Sequence, residues 1–137
     1  MSDTNFYSLK ITDVQPETDN AVCISFEVPK ALKETFAFTA GQFLTLQATI
    51  DGKVLRRSYS ICSSMNEAHL RVGIKRVEGG VFSNFANDNF KVGDSIEVMP
   101  PQGSFVLSEL NETKADRNIM CLAVGSGITP ILAIIKT

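Results

Sequence analysis

The feature that most constrains the fold is a series of short runs in which apolar and polar residues alternate. In residues 7–14, Tyr7, Leu9 and Ile11 alternate with polar neighbours, and residues 21–28 repeat the pattern. Successive side chains of a strand point to opposite faces, so such runs predict half-buried strands. Six runs of this kind are predicted as strands, at residues 7–14, 21–28, 43–50, 54–62, 70–77 and 95–99.

Turn signals separate these runs. Asp51-Gly52 predicts a hairpin between the third and fourth strands, and Pro100-Pro101 is expected to end the sixth. Residues 31–35 are at most a short turn, whereas residues 81–87 have helical spacing and predict a short helix after Gly79-Gly80. Six strands with so little helix predict an all-β fold, a six-stranded antiparallel Greek-key barrel with one short helix.

The composition changes after the sixth strand. Residues 109–118 are polar and charged, and residues 119–124 are continuously apolar, as in a central strand of a parallel sheet. Gly125-Ser126-Gly127 follows, with Pro130 suited to the first turn of a helix. We therefore expect a barrel domain at residues 1–110, a linker at 111–118, and at 119–137 the truncated first strand–turn–helix of an α/β nucleotide-binding domain.

Charge and cysteine content exclude several functions. Thirteen Lys and Arg against fifteen Asp and Glu give a net charge of −2, which disfavours a nucleic-acid partner. Cys23, Cys62 and Cys121 form no CxxC pair, which argues against a disulfide framework, a metal site and an iron–sulfur cluster. We expect reduced cysteines, no targeting or membrane segment, and a cytoplasmic protein.

The first candidate site lies on the fourth predicted strand. Arg57 and Tyr59 are two residues apart and therefore share a face, whereas Ser60 points to the other face. A guanidinium beside a phenol suits a ligand with a phosphate and a flat ring. Taken alone, the pattern is better explained by a surface arginine beside a barrel tyrosine.

The second candidate site is the start of the predicted helix. The N–H groups after Gly79-Gly80 converge at the positive end of the helix dipole, and Ser83 adds a hydroxyl. Alone, it fits an ordinary strand-to-helix connection. Together, the two signals favour a pyrophosphate held between Arg57 and the helix start. The third candidate, Gly125 to Pro130, lies where a dinucleotide phosphate sits in an α/β domain, but it lacks a full G-x-G-x-x-G pattern.

Four ordered motifs carry a family resemblance, together with Gly41-Gln42-Phe43-Leu44. They are Arg57-Ser58-Tyr59-Ser60, Gly79-Gly80-Val81-Phe82-Ser83, Pro101-Gln102-Gly103-Ser104-Phe105 and Gly125-Ser126-Gly127-Ile128-Thr129-Pro130. Their order and spacing resemble the ferredoxin–NADP⁺ reductase superfamily. Within it, residues 74–84 are most similar to the reductase components of phenylacetyl-CoA oxygenase systems and to the reductase part of flavohaemoproteins.

The resemblance implies roles for individual residues. The barrel would bind FAD, with Arg57 on the pyrophosphate, Tyr59 near the flavin or a sugar, and Ser60 close to the reacting flavin N5 as the catalytic residue. It implies further FAD contacts by Ser58, Ile74, Arg76, Gly80, Val81, Phe82 and Ser83, and places Gly125, Gly127, Thr129 and Pro130 at the NAD(P)H site.

The reaction implied is hydride transfer from NAD(P)H to flavin, followed by electron transfer to an iron–sulfur protein or an oxygenase component. Since most of the second domain would lie beyond Thr137, we expect this chain alone to be a weak reductase or inactive. Its apolar C-terminal segment would fold back on the barrel, pair with a second copy as a homodimer, or stay exposed. The alternative function is a cofactor-free β-barrel interaction module.

Overall fold

A computed structural model of the chain describes residues 4–107 and 120–137. The described part contains six strands and two α-helices. The strands are β1 (Tyr7–Thr18), β2 (Ala21–Glu27), β3 (Phe43–Ile50), β4 (Lys53–Ser60), β5 (Leu70–Lys75) and β6 (Ser95–Gln102), and the helices are α1 (Val81–Asn89) and α2 (Ile128–Lys136). Short 3₁₀ turns occupy Lys30–Leu32 and Gly125–Gly127.

The strands form one antiparallel sheet with the order β4-β3-β6-β1-β2-β5. Insertion of β6 between β1 and β3 makes the connectivity a Greek key. The two edge strands, β4 and β5, come together because the sheet curls round on itself. Ile61, just after β4, and Val72 of β5 form an isolated antiparallel bridge there. This meeting line between β4 and β5, called the seam below, closes the sheet into the predicted barrel.

Inward-facing residues of the strands fill the barrel. Leu9, Ile24, Leu46, Val72 and Val98 are each fully buried, one from each of five strands. Helix α1 adds Phe82 and Ala86 to the same core and contacts β3, β4 and β5. The helix therefore covers the part of the barrel that the seam leaves open.

The six predicted strands are confirmed, and β3 has the predicted bounds. Strand β1 extends four residues past the predicted end because its second half pairs with the start of β2, through Gln15 opposite Cys23 and Thr18 opposite Ala21. Register shifts, one of them between Pro16 and Thr18, interrupt the alternation that the sequence would otherwise have shown.

The prediction that Pro100-Pro101 ends the sixth strand is wrong, since β6 continues to Gln102. Proline lacks an N–H and is tolerated where a strand has no hydrogen-bonded neighbour on that side. The last β1 residue paired with β6 is Tyr7, opposite Val98, so β6 is free of β1 beyond that point. Its pairing with β3 also shifts register there.

The C-terminal segment differs in part from the prediction. The linker predicted at residues 111–118 lies outside the described residues. Residues 120–124 are not a strand, because the neighbouring strands that a parallel sheet requires are not among the described residues. Leu122 and Val124 are accordingly more than four-fifths exposed. The helix predicted at Pro130 is confirmed as α2, which folds back on the barrel and buries Ile131 and Ala133.

Among the described residues, no helix combines the length and apolarity that crossing a bilayer requires.

Gly41 is expected to be the least replaceable of the left-handed glycines. Its φ is +106°, and a Cβ there would lie 1.6 Å from the carbonyl oxygen of Phe105. Gly52 has a φ of +77°, but a Cβ there meets no atom of the described residues within 4 Å. Gly52→Ala should lower the free energy of unfolding by about 1 kcal/mol, because alanine disfavours a positive φ. Gly41→Ala should lower it by at least about 2 kcal/mol more than Gly52→Ala does, because the steric clash adds to the same effect. Urea denaturation checks this, and equal losses would refute the steric argument.

Candidate functional site

Arg57 and Tyr59 lie on the side of β4 that faces the barrel interior. In the β3–β4 pairing, Arg57 is opposite Leu46 and Tyr59 is opposite Leu44, and both leucines are fully buried. Because β4 is an edge strand beside the seam, this face is not covered completely. Arg57 is exposed and Tyr59 is half-buried. The predicted sharing of one face is therefore confirmed, and the face is open to a ligand.

The two successive arginines of β4 have different surroundings. Arg56 lies with its guanidinium 4.7 Å from the centre of the Phe6 ring and donates a hydrogen bond of 2.7 Å to Gln47. Within the described part of the chain, the one hydrogen bond that Arg57 donates goes to the carbonyl oxygen of Arg56, at 2.7 Å. No acidic side chain within residues 4–107 and 120–137 forms an ion pair with Arg57. Its positive charge is thus available on the inner face of β4.

Tyr59 connects this face of β4 to the start of α1. Its ring lies 6.0 Å from that of Phe82, the second residue of α1, with an interplanar angle of 35°. Burial raises the pKa of Tyr59, and the nearby charge of Arg57 offsets part of that effect. The phenol therefore keeps its proton at neutral pH and can donate a hydrogen bond.

The N-terminus of α1 is not neutralised by the described part of the protein. Gly80 is the N-cap residue, it provides no side-chain cap, and the first turn contains no acidic residue. The N–H groups of residues 81–83 have no intrahelical acceptor, as at any helix start. Such a terminus carries partial positive charge and suits an anion.

Close packing at Gly80 and Ser83 defines the geometry of this helix start. A Cβ on Gly80 would lie 2.8 Å from the Oγ of Ser83 and 3.0 Å from the carbonyl oxygen of Val77, so only glycine fits without a shift. The Oγ of Ser83 accepts a hydrogen bond of 3.0 Å from the Val77 N–H. The hydroxyl proton of Ser83 then remains available as a donor.

Side-chain amides of α1 hold the loop that precedes it. Asn84 Nδ2 donates to the carbonyl oxygens of Val77 at 3.0 Å and Gly80 at 2.6 Å. Asn87 Nδ2 donates to the carbonyl oxygen of Ile74 at 3.1 Å. These contacts fix the position of the helix start relative to the end of β5.

Arg76 also joins the end of β5 to α1. Its guanidinium donates to Asn84 Oδ1 at 3.2 Å and forms an ion pair of 2.6 Å with Asp88. The Asp88 carboxylate raises the pKa of Arg76, and the guanidinium lowers the pKa of Asp88. Sequence reasoning missed Asn87 and Asp88. The available signal was the polar stripe Ser83, Asn84, Asn87 and Asp88 on one side of the helix.

Several predicted site residues can contribute only through their backbone or from another face. The side chains of Ile74 and Phe82 are in the core, at 0% and 1% exposure. Ser58 lies on the opposite face from Arg57, 3.0 Å from the hydroxyl of Thr45. Ser60 shares that opposite face, as predicted. Val81 is half-exposed at the first position of α1.

The segment from Gly125 to Pro130 contacts β5. A Cβ on Gly73 would lie 3.2 Å from the methyl group of Thr129, so Thr129 packs where β5 lacks a side chain. Thr129 Oγ1 donates a hydrogen bond of 2.9 Å to the Ser126 carbonyl oxygen, which orders the turn before α2. Its contacts connect this segment to β5, and none of the described ones joins it to Arg57.

The other end of α2 is anchored to the loop between β4 and β5. Lys136 forms an ion pair of 2.6 Å with Glu67, and the Met65 N–H donates to Thr137 Oγ1 at 3.3 Å. Both charged side chains are about one-third exposed. Contacts at both ends of α2 therefore hold this helix, and the Gly125–Gly127 turn before it, against the barrel.

Comparison with known proteins identifies the family. Residues 8–107 match the family model described as oxidoreductase FAD-binding domain. The chain belongs to this family. The matched residues include the Arg57–Ser60 strand and the whole of α1, but not the segment after residue 107.

Individual relatives agree with this family. The chain is 46% identical over 134 residues to a component of the 1,2-phenylacetyl-CoA epoxidase of Escherichia coli strain K12, a match that covers 98% of this chain and 37% of the relative. It is 38% identical over 132 residues to the ferredoxin reductase component of 3-ketosteroid-9-alpha-monooxygenase of Rhodococcus rhodochrous, which covers 94% of this chain and 36% of that protein. The chain thus spans little more than a third of the length of these relatives.

Solved structures confirm the fold. A ferredoxin NADP⁺ reductase from Neisseria gonorrhoeae with bound FAD and NADP superposes with a TM-score of 0.80 at 23% identity, over 97% of this chain and 51% of that one. A flavohemoglobin from Malassezia yamatoensis with bound FAD and heme gives a TM-score of 0.80 at 26% identity, over 96% of this chain and 33% of that one. The FAD-binding barrel predicted from the resemblance is confirmed.

Glu67 should titrate below the usual range of glutamate. Its hydrogen bond to Lys136 is the main cause of the lowered pKa, and burial opposes it. A lowered pKa means that the ion pair stabilises the fold above the ordinary pKa of glutamate, and that this contribution is lost as the pH falls through the folded-state pKa. NMR titration of Glu67 should show the low pKa, and Lys136→Met should return it towards the ordinary value. An unchanged pKa in Lys136→Met would contradict the anchoring of α2.

Proposed function

We propose that this chain is the flavin-holding part of an NAD(P)H-dependent electron-transfer oxidoreductase, and that Arg57 and the start of α1 hold the pyrophosphate of FAD. The observation that carries the proposal is that two unneutralised positive groups belong to elements in contact, β4 and α1. The guanidinium of Arg57 has no acidic partner among the described residues, and the α1 terminus has no side-chain cap. Contact between Tyr59 and Phe82 brings their two elements together.

The donor set fits the diphosphate of FAD. Arginine forks onto phosphate oxygens, and free N–H groups at a helix terminus bind them without a side chain. The Gly80 position admits no Cβ, because the backbone there packs closely against Ser83 and Val77. We assign the pyrophosphate to the N–H groups of residues 81–83 and the hydroxyl of Ser83.

The flavin ring is assigned to the end of β4. Tyr59, protonated at neutral pH, offers an aromatic face and a hydroxyl donor, and Ser60 follows it on the opposite face. We propose that Ser60 lies close to the flavin N5, as the catalytic residue. FAD, when bound, supplies the chemistry by accepting a hydride and releasing electrons one at a time.

Arg76, Ile74 and Ser58 take less direct roles in the proposal. Since the Arg76 side chain is bound to Asn84 and Asp88, we propose that it positions the start of α1. Ile74 would act through its backbone, whose carbonyl oxygen holds Asn87. Ser58 would act from the outer face of β4, where it contacts Thr45.

The nicotinamide nucleotide is proposed to bind at the turn before α2. Gly125 has a φ of +58° and Gly127 precedes the first residue of α2, so the backbone there is accessible to a phosphate. Thr129 and Pro130 stand in the first turn of the helix. We propose that residues 119–137 belong to an α/β nucleotide-binding domain and that residues 1–110 form the FAD-binding barrel.

Partners follow from the relatives. Two of them are named as part of an epoxidase and as a monooxygenase reductase component. We propose that this protein passes electrons to an oxygenase component or its iron–sulfur protein.

The exposed side chains of Met120, Leu122 and Val124 are proposed to pack against the remainder of a nucleotide-binding domain in the longer protein, with homodimerisation as the alternative. A cytoplasmic location stays a prediction, consistent with three unpaired cysteines.

The test compares the two neighbouring arginines of β4. Arg57→Ala should weaken FAD binding at least about tenfold, since charge-assisted hydrogen bonds to phosphate are lost. Arg56→Ala is the matched control, because Arg56 is held by Phe6 and Gln47 away from the site. It should change the dissociation constant less than about twofold. Flavin fluorescence titration measures both constants, and equal effects of the two variants would refute the role of Arg57.

A further inference from the structure

Two cysteines that have no part in the proposed FAD site lie against each other at the outer side of the seam. Cys23 is in β2, and Cys62 follows Ile61, the bridge residue beyond the end of β4. Their Sγ atoms are 3.9 Å apart, although 39 positions separate them in the chain. Both are buried, at 8% and 5% exposure.

The surroundings make the two sulfur atoms unequal. Cys23 is paired across the sheet with Gly73, and the methyl group of Thr129 packs where Gly73 has no side chain. The two thiols share a hydrogen bond in which either sulfur can be the donor. When Cys62 is ionised, Cys23 donates to it, which lowers the pKa of Cys62 and raises that of Cys23. Burial opposes the lowering at Cys62, and the charges of Arg71 and Lys136 support it. Cys62 is therefore the better nucleophile of the two.

We propose that Cys23 and Cys62 are an oxidisable dithiol, whose disulfide ties β2 to the segment that follows β4 at the seam. The oxidant is a peroxide. The Cys62 thiolate attacks one peroxide oxygen, the O–O bond breaks, and hydroxide leaves, which gives a sulfenic acid. The sulfur of Cys23 then attacks the Cys62 sulfur, the S–O bond breaks, and the departing hydroxide takes the Cys23 proton as water. In balance, two thiols and one hydrogen peroxide give one disulfide and two waters.

The movement that this step requires is accessible at Cys62. The sulfur atoms must approach from 3.9 Å to about 2 Å. The Cys62 N–H donates a hydrogen bond of 2.9 Å to the Arg71 carbonyl oxygen, so its backbone is held at β5 and the approach must come from rotation of the two cysteine side chains. Residues 63–69, which follow Cys62, are not in a strand and can adjust to that rotation. Helix α2 covers the surface next to Cys62, and the charge of its Lys136 lowers the pKa of that thiol. A small oxidant such as hydrogen peroxide is therefore suited to reach Cys62.

The test uses the whole chain carrying Cys121→Ser, because Cys121 is exposed and would form links between molecules. Treatment with hydrogen peroxide should remove two titratable thiols per chain and lower the intact mass by two hydrogen atoms. Peptide mapping should find Cys23 joined to Cys62, and dithiothreitol should restore both thiols. If both thiols survive a dose that oxidises Cys121 in the unsubstituted chain, or if oxygen is added at either cysteine without a link, the proposal is overturned.

Variants and a stability measurement complete the test. Cys23→Ser, with Cys23→Ala as a second choice if the serine variant does not fold, should gain oxygen at Cys62 and form no link. The oxidised Cys121→Ser protein should melt roughly 10 °C above its reduced form, because the link closes a loop across the barrel. The Cys23 variants should show no upward shift. A melting temperature that stays equal or falls on oxidation would contradict a disulfide at the closed seam.

Discussion

The barrel depends on how its two edge strands meet. An antiparallel bridge, Ile61 with Val72, joins β4 to β5, and beyond it the strands diverge along the seam. Backbone groups of an open edge need another partner, and apolar inner faces need a cover. Helix α1 supplies the cover with Phe82 and Ala86. Its N-terminus is thereby fixed beside the inner face of β4.

This arrangement explains why a charged and an aromatic residue occupy a face that would otherwise be core. Arg57 stands opposite Leu46, at a register position where an aliphatic side chain would continue the barrel interior. Arg57 has no acidic partner among the described residues, and the nearby helix α1 starts without a side-chain cap. Under the proposal made above, a doubly negative diphosphate would offset both positive groups at once.

The sequence was sufficient for the elements that alternation and turn chemistry specify. All six strands, α1 and the shared face of Arg57 and Tyr59 follow from periodicity, and α2 follows from the glycine turn and Pro130. The family and FAD required the ordered motifs. The predictions that failed were those that depended on which strands lie next to a segment. Residues 120–124 have the composition of a central strand but are exposed, and β6 passes through two prolines because β1 does not extend alongside them. Composition does not reveal which strand edges are occupied.

The side-chain hydrogen bonds around α1 could not be predicted from the sequence either. Asn87 bonds to Ile74, and Asp88 to Arg76, only because α1 returns along the end of β5. The proximity of Cys23 and Cys62 similarly depends on the barrel's closure, which brings segments far apart in the chain together. These contacts are set by register, and register is fixed by the whole sheet rather than by a local pattern.

The most direct measurement of the central claim is the affinity of the unsubstituted chain for FAD, FMN and riboflavin at low and raised salt. All three share the ring, but only FAD carries the diphosphate. The account predicts that FAD binds at least about 100-fold more tightly than riboflavin, with FMN between them, and that salt narrows the difference because charges are screened. Equal affinities for FAD and riboflavin at low salt would contradict it.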